Sequence, residues 1–196
     1  MKTAQPIRKK EEVKKIKEYY QKIKPRIRNY LLVTIALNTA LRISDILSLR
    51  WKHVYDMQTN QYRSHIDLRE QKTGKQTKIK INTEVLLALK AYEKAMEEKY
   101  GGMMEETFLF RHANKNSAIS RVQAHRIVKC AGLHCDIPHE ISCHSLRKTF
   151  GYMAWKQGIS PALLVDIYNH SSYEVTKRYL GIEQEERDEV FECVLL

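Results

Sequence analysis

One short stretch constrains this chain more than any other: it opens with His144-Ser-Leu-Arg147-Lys148 and closes at Tyr179. His144 and Arg147 are three apart in a pattern that reads as a helix, so both project from one face. A hydrophobic helical run follows, then a break at Gly158-Ile-Ser-Pro161, then a second short helix ending in Asn169-His170-Ser171-Ser172. Tyr179 stands nine residues beyond His170. Two imidazoles, a guanidinium and a phenol in so short a span suit phosphoryl transfer, as proton handlers, anion clamp and hydroxyl nucleophile. Singly, each part has a plainer reading. A lone Tyr on a helix is more often a core or rim residue. His144 reads as a helix-start residue, and Arg147-Lys148 as a solvated basic face.

A matching segment lies upstream, Asn38-Thr-Ala-Leu-Arg-Ile-Ser-Asp-Ile-Leu-Ser-Leu-Arg-Trp51. With it the chain resembles the tyrosine recombinase (phage integrase) family over about residues 30 to 181. That family carries an Arg in a T-G-L-R-x-S-E-L-x-x-L-x-W segment, a β-hairpin Lys, an H-x-x-R pair, a later His or Trp, and a Tyr about nine residues further on. By position the resemblance assigns Arg42, Lys72, His144, Arg147, His170 and the nucleophile Tyr179, with Asp45 as the acid that buttresses the arginines. There are two small departures. Tyr168-Asn169-His170 stands where the family usually has Leu-Gly-His, and Ala40 replaces the common Gly before Leu41. Asn follows Gly in tolerance of left-handed backbone, so the first turn is expected to survive.

The resemblance implies a fold that is mainly α with a small antiparallel β-sheet, an α+β catalytic domain. It spans 1–196 as a basic N-terminal helix (1–24), a catalytic core (25–181) and an acidic, apolar tail (182–196). The helical core-binding domain that full-length members carry ahead of the catalytic one is not expected within these residues, which would be either a catalytic-domain fragment or a minimal stand-alone member.

The residues themselves support this division. Residues 1–28 hold eleven Lys and Arg against Glu11, Glu12 and Glu18, a net +8. Val13, Ile16, Tyr20 and Ile23 recur at helical spacing, predicting a short amphipathic helix ended before Pro25. Arg26–Asn38 is apolar nearly all round and reads as a buried central helix. Ser44 is expected to cap a helix over Asp45–Trp51. Alternation over Tyr62–Leu68 and Thr77–Ile81, around the turn Lys72-Thr-Gly-Lys75, predicts a β-hairpin with Lys72 or Lys75 at its tip. Thr83–Tyr100 reads as an amphipathic helix leaving at Gly101-Gly102, and Phe108-Leu-Phe110 as a short buried segment. Ser120 caps a basic helix from Arg121 to Ala131. Its Arg121, His125 and Arg126, with Lys75 and Lys148, are the expected DNA contacts. Gly181 ends the helix that bears Tyr179.

A net charge of +11 favours a polyanionic partner, DNA or RNA, over an acidic small substrate, and the resemblance implies that it is double-stranded DNA. No apolar run reaches membrane-span length and no signal peptide opens the chain, so a cytoplasmic protein with reduced thiols is expected. Cys130, His134, Cys135, His139, Cys143 and His144 cluster in sequence, but without a C-x-x-C pair or the spacing of a standard zinc site. No metal and no cofactor are expected. The resemblance implies that Tyr179 attacks a DNA phosphodiester to give a 3′-phosphotyrosine, with Arg42 and Arg147 on the non-bridging oxygens. Lys72 would protonate the leaving 5′-oxygen, His144 handle the tyrosine proton, and His170 donate to the phosphate. It also implies a monomer in solution that assembles on DNA, up to a tetramer, through the tail. Two rivals remain: a catalytically silent DNA-binding regulator with the same fold, and a type IB topoisomerase-like relaxing enzyme.

Overall fold

The computed structural model describes residues 4–102, 104–113, 115–182 and 191–194. The chain begins with α1 (Lys10–Glu18), continued by a π-helical turn over Tyr19–Ile23, then α2 (Ile27–Asn38) and α3 (Ile43–Ser48). A single 3-10 turn (Trp51–His53) leads to β1 (Tyr55–Asp56), β2 (Gln61–Tyr62), β3 (His65–Arg69) and β4 (Gln76–Lys80). After α4 (Thr83–Tyr100) come β5 (Arg111–His112) and β6 (Lys115–Ala118). Then come α5 (Arg121–His134), α6 (Cys143–Lys156), α7 (Pro161–Tyr168) and α8 (Tyr173–Leu180). It is a mainly α, α+β fold. In place of one small sheet, the strands form three separate antiparallel pairs, β1–β2, β3–β4 and β5–β6.

Helix α2 is the axis. Tyr30 through Leu37 are all buried, as an all-round apolar helix requires, and α4 and α6 pack against it. Helix α4 keeps its expected bounds because Asn82 caps it through the Val85 N–H and Gly101 turns left-handed (φ 72°) at its end. Ser120 caps α5 by accepting from the Gln123 N–H at 3.1 Å. The expected cap at Ser44 fails: α3 starts two residues earlier than expected, at Ile43, with Arg42 in the cap position and no side-chain cap, and ends at Ser48. Chain direction there is set by Ala40, which takes the left-handed conformation (φ 54°) that the family's usual Gly would adopt freely. At the N-terminus Ile16 and Tyr20 are buried as expected, but Ile23 is 71% exposed. The π turn, closed by the Lys24 N–H on the Tyr19 carbonyl at 2.7 Å, adds a residue to the turn and swings Ile23 off the buried face.

Two features place the last helices. Gly151 on α6 has no room for a side chain, since a Cβ there would lie 2.6 Å from both the Tyr168 hydroxyl and Leu180. Through that clearance Tyr168, fully buried at the end of α7, donates its hydroxyl to the Arg147 carbonyl at 2.6 Å. Ala40, Leu164, Tyr168, Leu180 and Ile182 then form a second small core. The segment before α1 straps this assembly. The Ile7 N–H donates to Thr149 Oγ1 at 2.8 Å, and Arg8 donates to the carbonyl of Gly181, the residue that ends α8, at 2.7 Å. No helix among the described residues is long and apolar enough to cross a membrane.

Candidate active site

Arg42 leaves the turn at Ala40 and enters α3 with its Nη1 2.6 Å from Glu70 Oε2. Glu70 is buried at the end of β3, and the tip of the β3–β4 hairpin closes around it. The Thr73 hydroxyl donates to Oε2 at 2.7 Å and the Thr77 hydroxyl to Oε1 at 3.4 Å. The Glu70 N–H meets the Lys75 carbonyl and the Gly74 N–H meets the Glu70 carbonyl, each at 2.9 Å. Lys72 stands exposed on this tip. Burial raises the Glu70 carboxyl, but the Thr73 hydroxyl and the Arg42 guanidinium outweigh it and hold it below the usual range.

The acid expected on the arginines, Asp45, does something else. It is fully buried, its Oδ1 accepts the Gln71 N–H at 2.9 Å, and its Oδ2 has no protein donor. Asp45 fastens the hairpin's backbone to α3, and the carboxylate on Arg42 is Glu70. A signal for Glu70 was present in the sequence. Ile66 and Leu68 are the buried positions of β3, so Glu70 continues the same inward alternation, where an acid demands a cationic partner.

Arg147 projects from α6 beneath this network, only 4% exposed, with its guanidinium carbon 4.9 Å from the centre of the Tyr168 ring. Its Nη1 is buried and has no hydrogen-bond partner. His144, one turn earlier on α6, lies at the open rim. His170 follows Asn169, which takes the left-handed conformation (φ 53°, ψ 49°) that its residue type permits. The His170 Nδ1 is 3.0 Å from Thr176 Oγ1, which fixes the ring. Tyr179 on α8 is enclosed by aromatic and cationic groups. The His170 ring is 5.1 Å away and near perpendicular, the Tyr168 ring is 5.4 Å away, and Lys148 Nζ lies 4.9 Å over its face.

The electrostatics tie these groups together. Burial pushes the Tyr179 phenol up, against the pull of Arg147 and Arg42. Partial desolvation, then the charges of Arg147, Lys148, Arg42 and Lys72, hold His144 low. Burial, then Arg147 and Arg42, hold His170 low. Arg42, Lys72, His144, Arg147, His170 and Tyr179 therefore share one field, with two neutral imidazoles and a protonated phenol at neutral pH.

The remaining expected contacts divide. Arg121, His125 and Arg126 are exposed along α5, and Lys75 is exposed with its Nζ 3.2 Å from Asp166 on α7. Lys148 is not a solvated cation: it is 8% exposed and covers the Tyr179 ring, because its position on α6 faces α8. The tail residues 183–190 lie outside the described residues, while Phe191 is 76% and Val194 57% exposed. Cys130 Sγ sits 3.4 Å from the Tyr19 hydroxyl and Cys135 is buried, and among the described residues no three His, Cys, Asp or Glu side chains converge as ligands.

The sequence profile described as the phage integrase family matches residues 8–186. The probable integrase/recombinase YoeC of Bacillus subtilis (strain 168) is 37% identical over 185 residues, covering 94% of this chain and 93% of that protein. The type 1 fimbriae regulatory protein FimE of Escherichia coli (strain K12) is 27% identical over 152 residues, covering 78% of this chain and 73% of the other. The crystal structure of XerA recombinase superposes on 97% of this chain with a TM-score of 0.75 and 21% identity, and this chain spans 66% of it. That of XerH site-specific recombinase bound to palindromic difH substrate superposes on 92% with a TM-score of 0.73 and 22% identity, and this chain spans 50% of it. At those identities the two structures speak to the fold alone.

Proposed function

The chain belongs to the phage integrase family, and from that premise we propose how its site carries out site-specific DNA recombination as a tyrosine recombinase. The observation that carries the reading is Arg147. A guanidinium 4% exposed, with a buried Nη1 that has no acceptor, is costly unless an anion completes it. The scissile phosphate supplies that anion, with Arg42 on the other side of it.

Tyr179 Oη then attacks phosphorus and the bond to the 5′-oxygen breaks, leaving a 3′-phosphotyrosine. His144, neutral at pH 7, takes the phenolic proton, and Lys72 on the hairpin tip gives one to the departing oxygen. The arginines bind the non-bridging oxygens, where charge builds in the pentacoordinate transition state. His170 reaches the phosphate through Nε2, since Thr176 engages Nδ1. Lys148, over the Tyr179 ring, steadies the nucleophile and favours the phenolate as it forms. Glu70 anchors Arg42 and the hairpin together. Attack by a second 5′-hydroxyl reverses the chemistry on a new strand, and the phosphotyrosyl bond conserves the energy of the one broken. The exposed Arg121, His125, Arg126 and Lys75 make phosphate contacts along the duplex. Protomers assemble on DNA through the tail, where the exposed Phe191 and Val194 support an apolar contact with a neighbour.

The test uses nicked suicide duplexes selected from a randomised library by retention on the protein. Wild type is expected to trap a denaturant-resistant adduct linked at the 3′ end, and Tyr179→Phe none. An equal adduct with Tyr179→Phe, or a 5′ linkage, overturns the reading.

A further inference from the structure

At the end of α2 remote from Arg42, the chain builds a second cationic concavity. Arg26, Arg28, Lys99 and Arg111 surround a cavity of about 290 Å³ whose wall includes Tyr92 and Tyr100 and no carboxylate. Helix α2 is 12 residues long, so at ~1.5 Å per residue its ends are ~18 Å apart. The cavity is thus separate from the site around Arg147.

Three independent features call for an anion there. The first is charge. None of the four cations is ion-paired among the described residues. Their partners are neutral: Arg28 donates to the Arg111 carbonyl at 2.8 Å, and Arg111 and Lys99 lie 4.7 and 5.2 Å from the Tyr100 ring centre. Like charges gathered without a counter-charge raise one another's energy. The second is Tyr92, 3% exposed and stacked on Trp51 with centroids 5.9 Å apart. Tyr92 lines the cavity with Arg28 and Arg111, and its hydroxyl, which makes no hydrogen bond among the described residues, is left to donate to a ligand oxygen. The third is the start of α2. Arg26 occupies the cap position with no side-chain cap, and Ile27, Arg28 and Asn29, whose N–H groups precede the first intrahelical bonds, line the cavity.

We propose that this cavity binds a small phosphate or phosphate monoester, separately from the DNA phosphate of the active site. Its oxygens are taken by the Arg28 and Arg111 guanidiniums, the Tyr92 hydroxyl and the first N–H groups of α2, with Arg26 and Lys99 supplying charge at the rim. The volume lies at the lower limit of small-molecule pockets, about 300 Å³, which suits a phosphate bearing a small organic group.

The test follows backbone amides by NMR as the full chain is titrated with inorganic phosphate or adenosine 5′-monophosphate, ionic strength being held with chloride. Saturable shifts are expected at Ile27, Arg28 and Asn29, besides any around Arg147. Tyr92→Phe and Arg111→Gln should each weaken the first set about tenfold, leaving the second set and DNA cleavage as in wild type. Tighter binding of the monoester assigns the site to an organic phosphate, and equal binding assigns it to free phosphate. Arg111→Gln alters charge without opening the core, so it carries the test if Tyr92→Phe lowers stability. The proposal falls if both anions leave the Ile27–Asn29 amides unmoved. It falls equally if their shifts survive both substitutions, or if duplex DNA moves them and the small anions do not.

Discussion

Arg42 and Arg147 act within one field yet are held in opposite ways. Arg42 already has an anion, Glu70, and through it shares a network with the hairpin that carries Lys72. Arg147 has an aromatic ring behind it and a buried Nη1 with no acceptor. A guanidinium that must share an incoming phosphate with a resident carboxylate gains less from it than one whose buried Nη1 still lacks an acceptor. The lesson is a division of labour. On the proposed mechanism, the Arg147 side, built from α6, α7 and α8, would supply grip, and the Arg42 side, built from α3 and the hairpin, would coordinate phosphate binding with proton donation by Lys72.

The largest expected effect breaks that comparison most directly. Arg147→Gln should slow single-turnover adduct formation by about 10²–10³, the cost of removing one donor from a charged transition state, and Arg42→Gln should slow it less. Equal losses would erase the distinction. Next, Gly151→Ala should destabilise the fold by about 1–3 kcal/mol in urea unfolding, because its Cβ would press on Tyr168 and Leu180 and force the α6–α8 joint apart. Glu70→Gln should slow cleavage about tenfold, or ~1.4 kcal/mol. A substrate with a 5′-bridging sulfur should recover most of that loss, since a thiolate departs without a proton from Lys72. Recovery absent, Glu70 acts on Arg42 alone and the coupling between the two sides is lost.

A smaller effect separates the groups by pH. His144 and His170 are held below their ordinary value, so the unfolded chain binds those protons more readily than the folded one. Their contribution to stability is complete above about pH 6.5 and declines as pH falls through the folded values. Glu70 is also held low, so its contribution is complete above about pH 4.5 and goes only on further acidification. Melting temperature should be level above neutrality and then fall in two stages, and Glu70→Gln should remove only the second. The smallest change expected is Asn169→Gly, within a few tenths of a kcal/mol, because Asn already tolerates the left-handed turn that Gly favours.

What the sequence made legible was local. The apolar α2, the bounds of α4, the Ser120 cap, the hairpin and the left-handed Asn169 all follow from residue type and near neighbours. What it concealed depends on partners far along the chain. Glu70 meets Arg42 across 28 positions, so a pattern tied to the arginine's own segment pointed to Asp45 instead. Lys148 looked solvated beside Arg147, and only the return of α8 across α6 covers it with Tyr179. Ser44 failed as a cap because Ala40, two residues before Arg42, had already redirected the backbone. The arginines, histidines and tyrosine were readable as a set because chemistry restricts their types. Their supports were less so, because several arrangements of carboxylates and lysines can brace the same site.

The strap formed by Ile7 and Arg8 ties the entering chain to the far end of the fold. Since Arg8 grips the carbonyl of Gly181, which caps the helix bearing Tyr179, tension on the segment before α1 travels directly to α8. Peeling that lead segment from α6 and loosening the tyrosine's mooring are one mechanical event, so a load applied at one end of the sequence is felt at the other.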